Sequence, residues 1–360
     1  MGFMSHALKL ARRAVGKVSP NPPVGVLIVK DGVVIGKGYT QVPGKDHAEI
    51  VALKQAGKAA RGSILYTSLE PCNHHGRTPP CTEAIIDAGI TEVHAAMLDP
   101  NPAVTGGGMN RFSEEGISIR MGECEAESRK LLESYVKYVT TGMPFVTAKF
   151  AMSLDGKIAT RGGDSKWISG DKARWEVHRI RAAADAIMVG INTVLSDDPK
   201  LTARDKKGTA LDHQPLRIVL DSRGRIPLSS QMILEPGNTL VVSNKINKRI
   251  VRSLEEVGVD SISLPGEGGL VDLVTLLKHL GLDRGITSLC VEGGSTVLGS
   301  MFDLGLVDKV IAFVSPVIIG GNDALAPVGG TGFDLIQDSL RLERIRWNRY
   351  GRDIAITGYC

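Results

Sequence analysis

The feature that most restricts the fold of this chain is an alternation of short β-branched apolar runs with helical patterns, sustained along most of its length. The first run, residues 24–29, meets the turn Lys30-Asp31-Gly32 and returns over residues 33–38, which predicts a hairpin. A helix over 48–60, a strand over 63–69, a helix over 81–88 and a strand over 93–98 follow. A helical stretch over 125–139 then runs into Thr140-Thr141-Gly142-Met143-Pro144, where a C-cap glycine and a proline end it. Beyond that break, strands are expected at residues 145–151, 186–189, 216–220, 239–242, 288–291 and 309–314, with helical patterns between several of them. Such alternation implies an α/β fold with largely parallel sheets in both halves, and ligands at the carboxyl ends of the strands. A length of 360 residues exceeds what one core supports, so the break divides the chain into domains of residues 1–143 and 144–360.

Composition excludes several function classes. A formal charge of +4, without a block of like charges, and 4% aromatic residues argue against a nucleic-acid binder, which needs a basic track and stacking platforms. No apolar run approaches the roughly 20 residues of a membrane span, and residues 1–16 are broken by His6, Lys9, Arg12 and Arg13, which reads as an amphipathic helix rather than a signal peptide. A cytoplasmic protein without a membrane partner is expected. Its five cysteines, Cys72, Cys81, Cys124, Cys290 and Cys360, are an odd number and argue against a disulfide framework. The 42 glycines fit the tight turns and close ligand approaches of α/β nucleotide enzymes.

Chemistry concentrates first at His47-Ala48-Glu49, Pro71-Cys72 and Pro80-Cys81. His47, Cys72 and Cys81 make three ligands for Zn2+; catalytic zinc sites keep three protein ligands and leave one position for water, whereas structural sites are closed by four. Helix N-termini at His47 and Cys81 would favour negative charge on sulfur. Glu49, two residues from a ligand, is suited to shuttle a proton as the catalytic residue, and H-x-E followed by two cysteines is the order found in zinc deaminases. The competing reading is a structural zinc whose fourth ligand is His74 or His75.

The run Glu70-Pro-Cys-Asn-His-His-Gly-Arg-Thr-Pro-Pro-Cys81, with eight residues between its cysteines, resembles the riboflavin-pathway pyrimidine deaminases, as do Asn21-Pro-Pro-Val-Gly25 and Asp99-Pro-Asn-Pro102. The resemblance implies a cytidine-deaminase-like three-layer domain that hydrolyses the 2-amino group of 2,5-diamino-6-(5-phosphoribosylamino)pyrimidin-4(3H)-one. His74, His75, Arg77 and Thr78 would touch the ring or phosphate, or simply hold the loop. Thr40 stands where such relatives often carry histidine, which puts one substrate contact in question.

In the second half the residues alone support less. Val291-Glu292-Gly293-Gly294-Ser295-Thr296 ends a strand and opens a helix, a turn that can hold a phosphate but is not the dinucleotide fingerprint. The runs at 151–160, 165–170, 189–204 and 291–300 resemble the riboflavin-pathway reductases, whose fold is similar to dihydrofolate reductase. That resemblance implies a dihydrofolate-reductase-like domain using NADPH to convert a ribosylamino to a ribitylamino group. Ala151, Trp167, Thr193, Asp197, Ser222 and the stretch Gly294, Ser295, Thr296, Val297, Leu298, Gly299 and Ser300 would contact NADPH. Ser165, Arg181, Leu201, Arg204 and Glu292 would hold the substrate, with the two arginines placed to clamp its phosphate. Lys149 and Asp197 are candidates to assist proton transfer. The expected partners are a small phosphorylated pyrimidine and further copies of the chain in a homo-oligomer. A nucleic-acid base deaminase and a non-catalytic zinc- and nucleotide-binding module are the alternatives.

Overall fold

The computed structural model describes residues 2–75, 79–102 and 104–360. The chain divides into two compact units, one ending at Met143 and the other running from Pro144 to Cys360.

The first unit comprises α1 (Phe3–Ala11), β1 (Gly25–Lys30), β2 (Val33–Tyr39), α2 (Ala48–Ala56), β3 (Ile64–Thr67), α3 (Cys81–Asp87), β4 (Glu92–Ala95), α4 (Gly107–Glu114), β5 (Ser118–Met121), α5 (Glu125–Leu131) and α6 (Glu133–Thr141). The sheet order is β2-β1-β3-β4-β5. It is mixed rather than largely parallel: β1 lies antiparallel to β2 and β3, and only β3, β4 and β5 are parallel. The cause is the turn after β1, where Asp31 at φ 50° and Gly32 at φ 75° give the two positive φ values of a type I′ hairpin. Strand side chains alternate between faces, and this builds three layers. Leu27, Val29 and Tyr66 pack on Met4, Ala7 and Leu10 of α1, whereas Val26, Ile28 and Leu65 pack on Ala48 and Ala52 of α2 and on Ile85 and Phe112 beyond them.

Helix α2 lies unusually close to the sheet. A methyl group at Gly38 would sit 1.9 Å from the Ala48 carbonyl oxygen, so only glycine permits this approach. The helix expected over 48–60 stops at Ala56, because Gly57 takes φ 55° and a 3₁₀ turn follows. The one expected over 125–139 is two helices, broken at Leu132 where φ is −97° and ψ is 10°. The unanticipated α4 and β5 carry weak patterns: β5 is mostly exposed and α4 begins on glycines.

The second unit comprises β6 (Phe145–Ser153), α7 (Asp171–Ala183), β7 (Ala186–Gly190), α8 (Ile191–Asp197), β8 (Leu216–Leu220), α9 (Gln231–Leu234), β9 (Thr239–Ser243), α10 (Lys248–Glu256), β10 (Asp260–Ser263), α11 (Leu273–Leu282), β11 (Ser288–Gly293), α12 (Ser295–Asp303), β12 (Lys309–Ser315), β13 (Glu343–Tyr350) and β14 (Asp353–Tyr359). Its sheet runs β10-β9-β8-β7-β11-β6-β12-β14-β13. The first seven strands in that order are parallel, and β13 and β14 close it as an antiparallel hairpin. β7 and β9 are buried at every position, as parallel strands covered by helices on both faces must be. Polar β10 and arginine-rich β13 gave no apolar run to read.

Candidate functional site

In the first unit three segments converge. His47 is the N-cap of α2, Cys81 is the first residue of α3, and Cys72 follows β3. His47 Nδ1 lies 3.7 Å from Cys72 Sγ and 3.3 Å from Cys81 Sγ, and all three atoms fall within 4.8 Å of one another. A tetrahedral zinc with bonds near 2.3 Å to sulfur and 2.0–2.1 Å to nitrogen separates S and N by roughly 3.5 Å, so this donor set fits that ion. Among the described residues no other His, Cys, Asp or Glu joins the group, and His74 and His75 are exposed. Arg77 and Thr78 lie outside the described residues.

The backbone favours thiolate here. The Cys81 N–H, at the start of α3, donates to Cys72 Sγ at 3.5 Å. Hydrogen bonds from Cys81 and His47 outweigh burial and draw the Cys72 thiol down to about 4, while the bond to Cys72 and burial push Cys81 up. Glu49, 4% exposed in the first turn of α2, is lifted to about 7 by burial and by the neighbouring Cys72. A carboxyl balanced near neutral pH can both take and give a proton.

Around this centre the loops are tied by groups the sequence reading passed over. The Glu70 carboxylate is buried and accepts from the backbone N–H groups of Asp99 (3.1 Å), Gly106 (3.0 Å), Gly108 (3.0 Å) and Met109 (3.3 Å). It thereby fixes the 99–109 segment beside Cys72. Asn73 donates to the Gly107 carbonyl and accepts from Thr82 Oγ1, tying the segments that hold the two cysteines. Their only signal was a place inside the quoted motif. Thr40 is buried; its hydroxyl accepts from Val24 N and donates to the Pro22 carbonyl, each at 2.9 Å, so it shapes the Asn21–Gly25 loop.

In the second unit a cavity of about 770 Å³ opens at the carboxyl ends of β7, β8 and β11. Of the expected cofactor residues, Thr193, Ser222, Gly294, Thr296, Val297 and Ser300 line it. Ala151, Trp167, Asp197, Ser295, Leu298 and Gly299 are not among the lining residues. Leu298 is buried, and Gly299 meets backbone instead: a methyl group there would sit 2.4 Å from Gly329 C and Gly330 N. Asp197 accepts from Ser165 Oγ at 2.8 Å, and Trp167 is exposed, with the Arg174 guanidinium 4.6 Å from its ring centre. Gly294, at φ 79° before α12, leaves space at a helix N-terminus where a side chain would crowd Thr193 Oγ1, which suits the close approach of a nucleotide.

Of the expected substrate residues, Glu292, Arg181, Leu201 and Arg204 gather around Thr202, whereas Ser165 stands apart on Asp197. Glu292 accepts from Arg181 Nε at 2.5 Å and Nη2 at 2.9 Å and from Lys149 Nζ at 3.3 Å. Burial pushes its carboxyl up, but Arg181 and Lys149 outweigh this and hold it at about 2. Arg181 also donates to the Thr202 carbonyl, and Arg204 donates to Thr202 Oγ1, the Gly208 carbonyl and Glu235. Both arginines therefore meet at Thr202, a junction without a sequence signal, with their donors already directed to protein acceptors. Leu201, at φ 52°, turns the chain into this junction.

Comparison with known proteins agrees with this division. Residues 1–97 match the cytidine and deoxycytidylate deaminase zinc-binding region, and residues 144–356 match the RibD C-terminal domain. The riboflavin biosynthesis protein RibD of Aquifex aeolicus is 41% identical over 98% of this chain and 96% of its own; that of Escherichia coli is 38% identical over 98% and 97%. The structure of Acinetobacter baumannii RibD superposes with a TM-score of 0.89 at 36% identity, over 99% of this chain and 97% of that one. A deaminase/reductase structure from Thermotoga maritima superposes at 0.86, with 35% identity and the same coverage.

Proposed function

Because this chain belongs to the RibD family of riboflavin biosynthesis proteins, we propose that it catalyses two successive steps: hydrolytic deamination of 2,5-diamino-6-(5-phosphoribosylamino)pyrimidin-4(3H)-one in the first unit, and NADPH-dependent reduction of the resulting 5-amino-6-(5-phosphoribosylamino)uracil in the second. The observation that carries the reading is the convergence of His47, Cys72 and Cys81 beside the buried carboxyl of Glu49.

In the first unit His47, Cys72 and Cys81 hold zinc, which supplies a Lewis acid that acidifies water. Glu49 moves the proton: its carboxylate accepts one from the attacking water and its acid form delivers one to the departing amine, and a carboxyl near pH 7 serves both directions. Glu70 and Asn73 keep the cysteine-bearing loops in place around it.

In the second unit NADPH supplies the hydride. Thr193, Ser222, Gly294, Thr296, Val297 and Ser300 bind and orient it, and Ser295, Leu298 and Gly299 support them through packing. Glu292, Arg181 and Lys149 form the polar floor for the ribosyl phosphate substrate, with Ser165, Leu201 and Arg204 around it; Lys149 Nζ and Asp197 are the groups positioned to manage the proton. Such alignment of two reactants is what a hydride transfer chiefly requires.

The enzyme acts in the cytoplasm as a homo-oligomer; among the described residues no helix is long and apolar enough to cross a membrane. The outer strand β13 exposes Ile345 (57%) and Trp347 (70%), an apolar face that a second copy would cover. Supplying the diaminopyrimidine phosphate with NADPH and following ammonia and absorbance together tests the whole proposal. Ammonia should appear first and NADPH consumption should depend on it; NADPH loss without ammonia release defeats the assignment.

A further inference from the structure

A carboxylate just beyond the end of α9 is shared by two cations of the segment expected to bind substrate. Glu235 accepts from Lys200 Nζ through Oε1 and from Arg204 Nη2 through Oε2, the latter at 3.3 Å. The hydrogen bond from Lys200 chiefly holds its carboxyl below the usual range, and the charges of Lys200, Arg204 and Arg217 add to this, so Glu235 is ionised at neutral pH. The turn that presents it is fixed to the sheet. Arg217 of β8, 1% exposed, donates through Nη2 to the carbonyls of Glu235 at 3.0 Å and Gly237 at 2.6 Å. Gly237 lets Gln214 pack against the same turn, since a methyl group there would sit 2.9 Å from Gln214 Cβ. Gln214 in turn accepts from Ala203 N at 2.8 Å and donates to the Ala203 carbonyl at 2.9 Å, which holds the residue next to Arg204.

The Arg204 guanidinium has three protein acceptors among the described residues, and they are not equivalent. Thr202 Oγ1 at 2.8 Å and the Gly208 carbonyl at 3.0 Å lie two and four residues away, so they orient the guanidinium only within its own loop. Glu235, 31 residues away, is the one charged acceptor and the one that ties this guanidinium to the sheet. With side chains 19% and 22% exposed, Glu235 and Arg204 are screened less than a surface ion pair. A guanidinium carries five N–H groups in a rigid fork. Three are taken, which leaves one on each terminal nitrogen without a protein acceptor among the described residues. Such a fork meets two oxygens of one phosphate.

We propose that Glu235 is a positioning residue for the second unit's substrate, holding the Arg204 guanidinium so that its two remaining N–H groups meet the oxygens of the substrate phosphate. This rests on the reading of Arg204 as a substrate residue. Lys200 occupies the other carboxylate oxygen and keeps Oε2 turned to Arg204.

The test is steady-state kinetics of the full chain with NADPH and 5-amino-6-(5-phosphoribosylamino)uracil, or the same compound without its phosphate. The proteins compared are the parent, Glu235→Gln, Glu235→Asp, Arg204→Gln and the double variant Glu235→Gln with Arg204→Gln. Glutamine keeps the size of the side chain but offers Arg204 only a neutral acceptor. KM for the phosphorylated substrate should rise roughly 5- to 10-fold, with kcat within twofold of the parent. Aspartate, keeping the charge, should recover part of the loss, and unchanged NADPH affinity should show that each variant is folded. The double variant should have the KM of Arg204→Gln alone, because Glu235 acts only through that guanidinium. A KM within twofold of the parent in Glu235→Gln, an equal rise for the compound lacking phosphate, or a full further rise in the double variant overturns the inference and leaves Arg204 as a phosphate ligand. An Arg204→Gln variant with the parent KM, or a parent that reduces neither compound, overturns the reading beneath it, and this inference with it.

Discussion

Replacing Glu292 with glutamine should unfold the second unit more easily by about 3 kcal/mol at pH 7. Its carboxylate side chain is 5% exposed and is met by Arg181 and Lys149, whose side chains are 15% and 12% exposed. These cations lower it from an ordinary 4.5 to about 2; at about 1.4 kcal/mol per unit, the difference is worth about 3 kcal/mol of folding free energy. Breaking a buried pair from one side typically costs 3–5 kcal/mol, in agreement. The sign follows from the depressed value. The stabilisation is complete above pH 4.5 and is lost as pH falls through about 2, so the gap between parent and variant should be constant from pH 7 to about 5 and then close. The assay is specific to this unit, because Trp167, Trp175 and Trp347 are the only tryptophans in the chain. Urea unfolding followed by tryptophan fluorescence, with a slope of about 2 kcal/mol/M, should show a midpoint lower by roughly 1.5 M. A shift equivalent to less than about 1 kcal/mol, or a gap that widens in acid, would refute the buried-pair argument.

Other outcomes are expected from the same geometry. Glu49→Gln should keep its zinc and lose ammonia release by roughly 100-fold or more, while reducing pre-deaminated substrate at the parent rate; coupled ammonia assays and elemental analysis check both. Cys72→Ser and chelator treatment should each remove the metal and abolish deamination, and retained ammonia release in metal-free protein would contradict the three-ligand site. Gly38→Ala should destabilise the first unit by roughly 3 kcal/mol, because a methyl group 1.9 Å from the Ala48 carbonyl drives α2 off the sheet. Far-UV circular dichroism with a zinc assay would show it, and a variant of unchanged stability and full zinc content would mean that α2 is free to shift.

Legibility followed how local each signal was. That His47, Cys72 and Cys81 come together could be read directly, since their donor atoms suit one metal ion and they sit at or just beyond the ends of patterned elements. The two arginines expected at the substrate could be named but not their state: that Arg181 reaches Thr202 and Glu292, and Arg204 reaches Glu235, depends on residues 21 to 111 positions away in the chain. The stretch Gly294 to Ser300 read as one block, yet helical periodicity turns Thr296, Val297 and Ser300 to the cavity and Leu298 and Gly299 to the interior.

By itself the sequence determined the α/β class, the break near Met143, the hairpin at Asp31-Gly32 and the His, Cys and Cys that cluster in the first unit, because each depends on side-chain chemistry or backbone preference within a few residues. Tertiary structure alone decided the mixed order of the first sheet, the closure of the second by the hairpin β13–β14 and the four N–H groups gathered on Glu70. Those features arise where distant segments satisfy one another's polar groups or fill one another's space, and no local preference encodes which partner will be there.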